Sequence, residues 1–146
     1  MIKGEKMKKY KIGYTTGVFD MFHVGHLNIL RRAKDQCEYL IVGVTTDELC
    51  FSRKNKMPII NENDRKAIIE SIKYVDRVIF QSDMDKIKPV IENNVDAVFV
   101  GSDWQGTPQW NEYEKKFNEH NCDVVYLKYT DNISSTILRE KINKHE

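Results

Sequence analysis

Short apolar runs alternate with amphipathic stretches along almost the whole chain. Five runs are continuously apolar and rich in β-branched residues, as strands covered on both faces are; they span residues 11–16, 39–46, 77–80, 97–101 and 122–127. Helical spacing of apolar residues occurs at 26–36, 63–74, 85–94, 109–120 and 135–145. This alternation predicts an α/β, Rossmann-like single domain with a five-stranded parallel sheet flanked by helices.

The predicted sheet also indicates where a ligand would bind. In open parallel sheets, ligands lie beyond the carboxyl ends of the strands, near the point where the strand order reverses. We therefore expect functional residues directly after strands. We expect the domain to cover residues 11–146, enough to bury a core, and residues 1–10 to form a short flexible leader.

Composition and charge narrow the classes of function. The chain is 40% hydrophobic and 31% charged, with a formal net charge of +1. So small a charge favours neither nucleic acid nor a membrane as partner, and any anion site has to be local. No apolar run approaches the roughly 20 residues of a membrane span. Three cysteines without CxxC spacing argue against disulfides and a thiolate metal site, and favour a reduced cytoplasmic protein.

The first predicted strand leads into "GVFDMFHVGH", residues 17–26. Gly17 lacks a Cβ and lets the backbone approach a ligand closely. His23 and His26 lie one helical turn apart on either side of Gly25, at a predicted helix start whose backbone N–H groups favour an anion. The two imidazoles are therefore placed to donate to two oxygens of one phosphate.

Two other interpretations of this segment remain open. Paired histidines are often structural or merely exposed. The spacing of Asp20, His23 and His26, three residues apart each time, also suits three ligands of a metal ion in a metal-dependent hydrolase. The preceding strand and the flanking glycines favour phosphate binding.

Five blocks in order carry a resemblance to a known family: "YTTGVFDMFHVGH", "RRAKDQCEYLIVGVTTDE", "NDRKAIIESIKYVDRVI", "VGSDWQG" and "VVYL". The first contains the HxGH signature of nucleotidyltransferases. Over about residues 11–142 the chain resembles the cytidylyltransferase-like superfamily, and within it the bacterial glycerol-3-phosphate cytidylyltransferases. The resemblance implies transfer of a cytidylyl group from CTP to a small phosphate monoester with release of pyrophosphate, glycerol 3-phosphate being the favoured acceptor and CDP-glycerol, a precursor of teichoic acid or capsule, the product.

The resemblance also implies roles for the first loop. His23 and His26 would hold the α-phosphate and bridging oxygens at the transition state, and Asp20 would orient His23 or approach the reacting groups. Nucleotide contacts are expected along the whole loop, at Gly17, Val18, Phe19, Asp20, His23, Gly25 and His26. The triphosphate implies Mg²⁺, held mainly by phosphate oxygens and water and not by protein ligands. A homodimer is implied by the resemblance alone.

Residues 51–66, "FSRKNKMPIINENDRK", supply cations. By resemblance, Lys54 and Lys56 form the lysine pair that faces the phosphates of both substrates, and Arg65 is the arginine near a helix start. Because this loop is one residue longer than expected, Arg53 is an alternative to one of the lysines. Lys54, Lys56 and Arg65 complete the expected catalytic set with the two histidines. The acceptor is expected to contact Asp20, Lys54, Lys86 and Arg65. A solvated charged loop is the alternative.

Asp103 and Trp104, in "VGSDWQG" after the fourth strand, resemble the family's base pocket. A tryptophan that only covers the sheet end is the alternative. Further along, "YTDNISST" (129–136) stands where the family has R-T-x-G-I-S-T-T. The expected nucleotide contacts there are Tyr129, Thr130, Ile133, Ser134, Ser135 and Thr136.

Tyr129 replaces the family's arginine and cannot neutralise a phosphate, so Lys128 or Arg139 would have to compensate. "ISSTILR" (133–139) also resembles a motif of mononucleotide adenylyltransferases, which leaves ATP as the alternative nucleotide. Phosphocholine, phosphoethanolamine and other polyol phosphates are alternative acceptors. A nucleotide-binding sensor without turnover is the alternative of another class.

Overall fold

The computed structural model describes residues 8–128 and 135–144, without the side chains of 135–137 and 144. Its strands are β1 Tyr10–Gly17, β2 Cys37–Thr45, β3 Arg77–Gln81, β4 Ala97–Gly101 and β5 Asp123–Leu127. Its helices are α1 Val24–Gln36, α2 Asp47–Lys54, α3 Glu62–Glu70, α4 Ile87–Glu92, α5 Pro108–Glu119 and α6 Ser135–Lys144, with a 3₁₀ turn at Ser102–Trp104. Within these described residues, no helix is long and apolar enough to cross a bilayer.

All five strands are parallel, in the order β3-β2-β1-β4-β5, which confirms the predicted fold. The chain builds outward from β1 to β3, then crosses to β4 on the other side of β1. The strand order therefore reverses between β1 and β4. Gly17 and Gly101 end these two strands, so the expected ligand position lies just beyond them.

Alternate residues of each strand pack into one of two cores, because successive side chains point to opposite faces. On one face, Leu30 of α1 and Ile69 of α3 pack with β2 and are fully buried. On the other face, Val90 of α4 and Phe117 of α5 pack with β1 and β4. Each such buried side chain contributes about 1.5–3 kcal/mol, so both helical layers are firmly held to the sheet.

Gly43 in the middle of β2 marks a close approach between neighbouring strands. A Cβ there would lie 2.6 Å from the Tyr14 hydroxyl oxygen and 2.9 Å from Thr16 Cγ2. Both distances are too short for real contacts, so the Tyr14 and Thr16 side chains would have to shift if this position carried a side chain.

Helix α2 is the element that the apolar pattern does not predict. Only Leu49 and Cys50 of its eight residues are buried, so no amphipathic repeat develops. Its ends are set locally: the Thr46 side chain accepts from Leu49 N at 3.2 Å, and Asn55 ends the helix in the left-handed conformation, φ 54°. The supposed charged loop is thus partly helical.

Three helix boundaries also differ from the expected ones. Helix α1 begins at Val24, two residues earlier than expected, because His23 caps it. Helix α4 is shortened to six residues, with Pro89 in its first turn, where no backbone N–H is needed. Helix α3 ends at Glu70 and not at 74.

Candidate active site

A cavity of about 470 Å³ opens at the carboxyl ends of the strands. Gly17 at the end of β1, Thr45 at the end of β2, Gln81 at the end of β3 and Gly101 at the end of β4 all line it. The cavity therefore spans the point where the strand order reverses. This is the position that the fold predicts for a ligand.

The two histidines are fixed by hydrogen bonds at the start of α1. His23 Nδ1 accepts from Gly25 N at 3.0 Å, and His26 Nδ1 accepts from His23 N at 3.3 Å. Their rings stack with centroids 3.8 Å apart. Because each Nδ1 acts as an acceptor, the hydrogen-bond pattern assigns the proton of each neutral imidazole to Nε2.

Burial keeps both imidazoles neutral. It lowers the pKa of His26 to about 4, an effect that His23 strengthens and Asp20 opposes. Burial also lowers the pKa of His23. His26 lines the cavity, whereas His23 does not; within the described residues the buried His23 Nε2 has no hydrogen-bond partner. An unsatisfied buried donor costs about 1–3 kcal/mol, so an acceptor such as a phosphate oxygen would stabilise it.

The loop before the histidines is strained. Phe19 and Met21 both have left-handed backbones, φ 55° and 49°, which bulky side chains rarely adopt. The Phe19 ring contacts the His26 ring edge-on, with centroids 5.4 Å apart. Such strain, about 1–3 kcal/mol per residue, persists only where surrounding contacts hold the loop in place.

Asp20 is one of those contacts. Its buried carboxylate accepts from Ile59 N at 2.8 Å and Ile60 N at 2.9 Å, and it forms an ion pair with Arg139 of α6. Burial alone would raise the pKa of Asp20, but the amides and Arg139 outweigh it and the pKa is lowered. An ionised carboxylate therefore ties the first loop to the segment after α2 and to the last helix.

Arg65 is a second contact that holds the loop. Its side chain is 0% exposed; Nε donates to Ile60 O at 2.8 Å, and Nη1 donates to Val18 O at 2.8 Å and to Thr45 O at 2.7 Å. Nη2 pairs with Asp47 at 2.6 Å. Arg65 does not line the cavity, so the expected phosphate contact is replaced here by contacts that join β1, β2 and the following loop.

Cations outnumber acids around the cavity. Five cationic side chains line it, namely Arg53, Lys54, Lys56, Lys86 and Arg139, against the two carboxylates of Asp20 and Asp85. Arg53 and Lys54 come from the last turn of α2, the helix that the sequence pattern did not predict. In a chain with a net charge of only +1, this is the local positive site that we expected.

Of the expected residues whose side chains the structure describes, nine line the cavity and four do not. Those that line the cavity are Gly17, Val18, Phe19, Asp20, His26, Lys54, Lys56, Lys86 and Trp104. Those that do not are His23, Gly25, Arg65 and Asp103. Outside the described residues lie Tyr129, Thr130, Ile133 and Ser134, and the side chains of Ser135 and Thr136 are likewise not described.

Sequence reasoning missed Gln109 and Trp110, which line the cavity from the first turn of α5. Trp110 is buried in the core beneath the sheet. A tryptophan at an apolar position of an amphipathic helix gives no signal that separates a cavity wall from ordinary core.

The geometry does not suit a metal ion held by the protein. Among the described residues, no group of three His, Cys, Asp or Glu side chains is arranged to hold one. Asp20 is taken up by two amides and Arg139, and both histidine Nδ1 atoms accept from backbone amides. The Asp20, His23 and His26 metal site is therefore not formed, and the residues do not fit a magnesium ion bound by side chains.

A parallel α/β sheet that ends in neutral imidazole donors, strained backbone and a cation-lined cavity is the architecture of an enzyme acting on nucleotide phosphates. The comparisons with known proteins agree. The cytidylyltransferase-like family model matches residues 14–141. The chain belongs to this family and is a nucleotidyltransferase, so it acts on a nucleoside triphosphate and a phosphate-containing substrate.

Three relatives each match more than three quarters of the chain. A glycerol-3-phosphate cytidylyltransferase of Bacillus subtilis is 38% identical over 129 residues, 88% of this chain and 94% of the relative. One of Staphylococcus aureus is 37% identical over 88% of this chain and 92% of its own. An FAD synthase of Archaeoglobus fulgidus is 34% identical over 77% of this chain and 81% of its own. These relatives differ in the substrates that their names give.

A solved structure supports the same fold. The lipopolysaccharide core biosynthesis protein of Thermoplasma volcanium superposes with a TM-score of 0.69 at 33% identity, covering 82% of this chain and 96% of its own. The similarity to a pantothenate synthetase of Thermus thermophilus, at 14% identity and a TM-score of 0.58, concerns the fold alone.

Proposed function

We propose that this enzyme transfers a cytidylyl group from CTP to glycerol 3-phosphate and so forms CDP-glycerol and pyrophosphate. A phosphate oxygen of the acceptor attacks the α-phosphorus of CTP, and the bond from that phosphorus to the oxygen bridging to the β-phosphate breaks. The acceptor oxygen is already anionic, so no general base is needed. The glycerol-3-phosphate cytidylyltransferases, at 37–38% identity, support this choice of substrates.

The histidine pair is the observation that carries the proposal. Both Nδ1 atoms are held by backbone amides, so both Nε2–H groups are left as donors at the rim of the sheet. Neutral donors aimed at the α-phosphate and bridging oxygens stabilise the charge that develops there. One preorganised donor of this kind is worth about 3–4 kcal/mol, or about 10²–10³ in rate.

The cations that line the cavity reduce the repulsion between the two substrates. Two anions have to meet, and the side chains of Lys54 and Lys56, which line the cavity, offset their repulsion. One ammonium 4 Å from a phosphate charge gains about 4 kcal/mol at an effective dielectric constant of ~20. Magnesium would accompany the triphosphate, bound by phosphate oxygens and water, since the described side chains form no site for it.

Adenylyl transfer from ATP is the second candidate. Two observations favour it: the FAD synthase relative at 34% identity, and the segment "ISSTILR", which resembles the adenylyltransferase motif. Trp104, 42% exposed at the cavity edge, offers a stacking surface to either base.

Pyrophosphate release from CTP and ATP, each with a panel of phosphate monoesters, tests the proposal. The panel contains glycerol 3-phosphate, phosphocholine, phosphoethanolamine and longer polyol phosphates, and mass spectrometry identifies the product. We expect release with CTP and glycerol 3-phosphate. Release with ATP alone would establish the second candidate, and tight nucleotide binding without release under any acceptor would identify a sensor.

A further inference from the structure

Three buried polar side chains line the cavity on the face of the sheet that α4 and α5 cover, opposite to α1 and its histidines. Tyr14 of β1 belongs to this face, because it packs with Ile41 and Val90. Side chains alternate along a strand, so Thr45, four residues after Ile41, points the same way, and Gln81 is its register partner in β3. Tyr14, Thr45 and Gln81 all line the cavity, although they are only 3%, 1% and 7% exposed.

The Tyr14 hydroxyl lies over Gly43 of the neighbouring strand. A Cβ at Gly43 would be 2.6 Å from the hydroxyl oxygen, so the missing side chain leaves room for it. Among the residues that the structure describes, the hydroxyl has no hydrogen-bond partner. Burial, strengthened by the negative charge of Asp83, raises the pKa of Tyr14, so the hydroxyl stays protonated. It can therefore donate to a ligand in the cavity and accept from one.

The Gln81 amide is held in one orientation. Thr45 Oγ1 donates to Gln81 Oε1 at 2.8 Å, and Thr46 N donates to Gln81 O at 3.0 Å, which ties the ends of β2 and β3 together. Gln81 Nε2 carries two N–H donors, and within residues 8–128 and 135–144 neither has a partner. The cavity therefore contains a neutral amide donor as well as a neutral hydroxyl on this face.

These neutral groups suit a ligand that carries hydroxyl groups. An apolar ligand would exclude water from the Tyr14 hydroxyl and the Gln81 amide without giving them partners, which is unfavourable. An ammonium group would meet a cavity lined by five cationic side chains and only two carboxylates. A hydroxyl group is uncharged, and it both donates and accepts, so it can pair with either side chain.

We infer that Tyr14 and Gln81 bind the hydroxyl groups of the acceptor and so select a polyol phosphate, with Thr45 as a positioning residue for the Gln81 amide. The inference rests on the proposed nucleotidyl transfer. It narrows the acceptor from small phosphate monoesters in general to those whose remaining part is a polyol, and it disfavours phosphocholine and phosphoethanolamine.

Steady-state kinetics with two acceptors of equal length test the selection. Propyl phosphate has the carbon chain of glycerol 3-phosphate without its hydroxyl groups. A site built to hydrogen-bond a hydroxyl rejects the analogue that lacks it, so we expect the wild type to favour glycerol 3-phosphate at least about tenfold in kcat/KM. Tyr14→Phe and Gln81→Met should each raise KM for glycerol 3-phosphate about 3–10-fold, since one hydrogen bond is lost, and change KM for propyl phosphate less than about twofold.

Tyr10→Phe is the matched control. Tyr10 also lies in β1 and is buried, but its hydroxyl donates to Asp123 at 2.8 Å and it does not line the cavity. Its replacement should leave the preference between the two acceptors unchanged. An unchanged preference in Tyr14→Phe and Gln81→Met as well, or a wild type that prefers propyl phosphate or phosphocholine, would overturn the inference.

The positioning role of Thr45 is tested by two replacements of similar size. Thr45→Ser keeps the hydroxyl that holds the Gln81 amide, whereas Thr45→Val keeps the shape and removes the hydroxyl. We expect Thr45→Val to lower the preference for glycerol 3-phosphate about 3–10-fold and Thr45→Ser to retain most of it. Equal preferences in the two variants would refute this role, whatever their stabilities.

Calorimetric titration with glycerol 3-phosphate and propyl phosphate, with and without CTP, measures the same preference independently of turnover. We expect the wild type to bind glycerol 3-phosphate more tightly, and the difference to shrink in Tyr14→Phe and Gln81→Met. Equal affinities in the wild type, or no binding of glycerol 3-phosphate under either condition, would overturn the inference. If the expected preference occurs in an enzyme that releases no pyrophosphate, only the proposed reaction is contradicted.

Discussion

The Arg65 guanidinium holds the site together without lining it, and its replacement can be predicted in detail. In Arg65→Met the side chain keeps its length, but the carbonyls of Val18, Ile60 and Thr45 lose their donor. An unsatisfied buried polar group costs about 1–3 kcal/mol, and removing one partner of a buried ion pair costs about 3–5 kcal/mol. Asp47 is 21% exposed and can be hydrated, so we expect a total loss of about 3–5 kcal/mol. The free energy of unfolding of a typical domain is about 5–15 kcal/mol in total.

Urea unfolding of the wild type and three variants measures this loss. Arg65→Lys keeps the charge but not the planar fork, so we expect it to lose about 2 kcal/mol and to recover part of the stability lost in Arg65→Met. Arg53→Met is the matched control, because Arg53 is an exposed cavity cation at the end of α2. We expect its free energy of unfolding to stay within about 0.5 kcal/mol of the wild type.

A small loss of stability would instead indicate that Arg65 contacts a substrate directly. If Arg65→Met unfolds within about 1 kcal/mol of the wild type and raises KM for a substrate, then Arg65 contacts a phosphate in the working enzyme. The hydrogen bonds that it makes in the ligand-free structure would then be exchanged for that contact, and its assignment as a positioning residue would be wrong.

Three further predictions concern single positions. His23→Asn keeps a good helix cap but removes the Nε2 donor, so pyrophosphate release should fall at least about tenfold while the melting temperature stays close to that of the wild type; unchanged turnover would contradict the role of His23. Asp20→Asn should be less stable than the wild type at neutral pH. The pKa of Asp20 in the folded protein lies below its ordinary value of 3.8. The carboxylate therefore stabilises the fold above pH 3.8, and this stabilisation is lost as the pH falls through the lowered pKa. In urea unfolding, the difference in free energy of unfolding between the wild type and Asp20→Asn should be smaller at about pH 3 than at about pH 7. Gly43→Ala places a methyl group 2.6 Å from the Tyr14 hydroxyl oxygen and should lower the free energy of unfolding by about 1–3 kcal/mol in thermal or chemical unfolding. An unaltered stability would show that the Tyr14 side chain can shift without cost.

The strands could be predicted from the sequence because each is a short, continuously apolar run rich in β-branched residues. Helix α2 could not, since two buried residues in eight produce no periodicity. Its caps, Thr46 and Asn55, are visible in the sequence only once a helix between them is suspected. Local capping interactions, and not burial, determine where helix α2 begins and ends.

The site shows the same division between local and distant information. His23 and His26 could be found because three residues separate them and their spacing is itself the signal. Asp20 and Arg139 pair across 119 residues, a contact that no local spacing shows. The resemblance places Arg65 against a phosphate, and only the folded chain reveals the three carbonyls that converge on its buried side chain.

In the proposed reaction, the polar groups of this site divide into those that would face the substrates and those that hold the loop. The histidines are neutral without ligand, so they supply donors while adding no repulsion to the cations of the cavity. The charges of Asp20 and Arg65 are instead used to hold the strained backbone at Phe19 and Met21. The same loop positions the imidazoles. A mutation that neutralises Asp20 or Arg65 would therefore slow the reaction by displacing the histidine donors, although neither residue contacts the reacting groups. Substitution of Asp20 or Arg65 should therefore lower both activity and stability, whereas substitution of either histidine should lower activity alone.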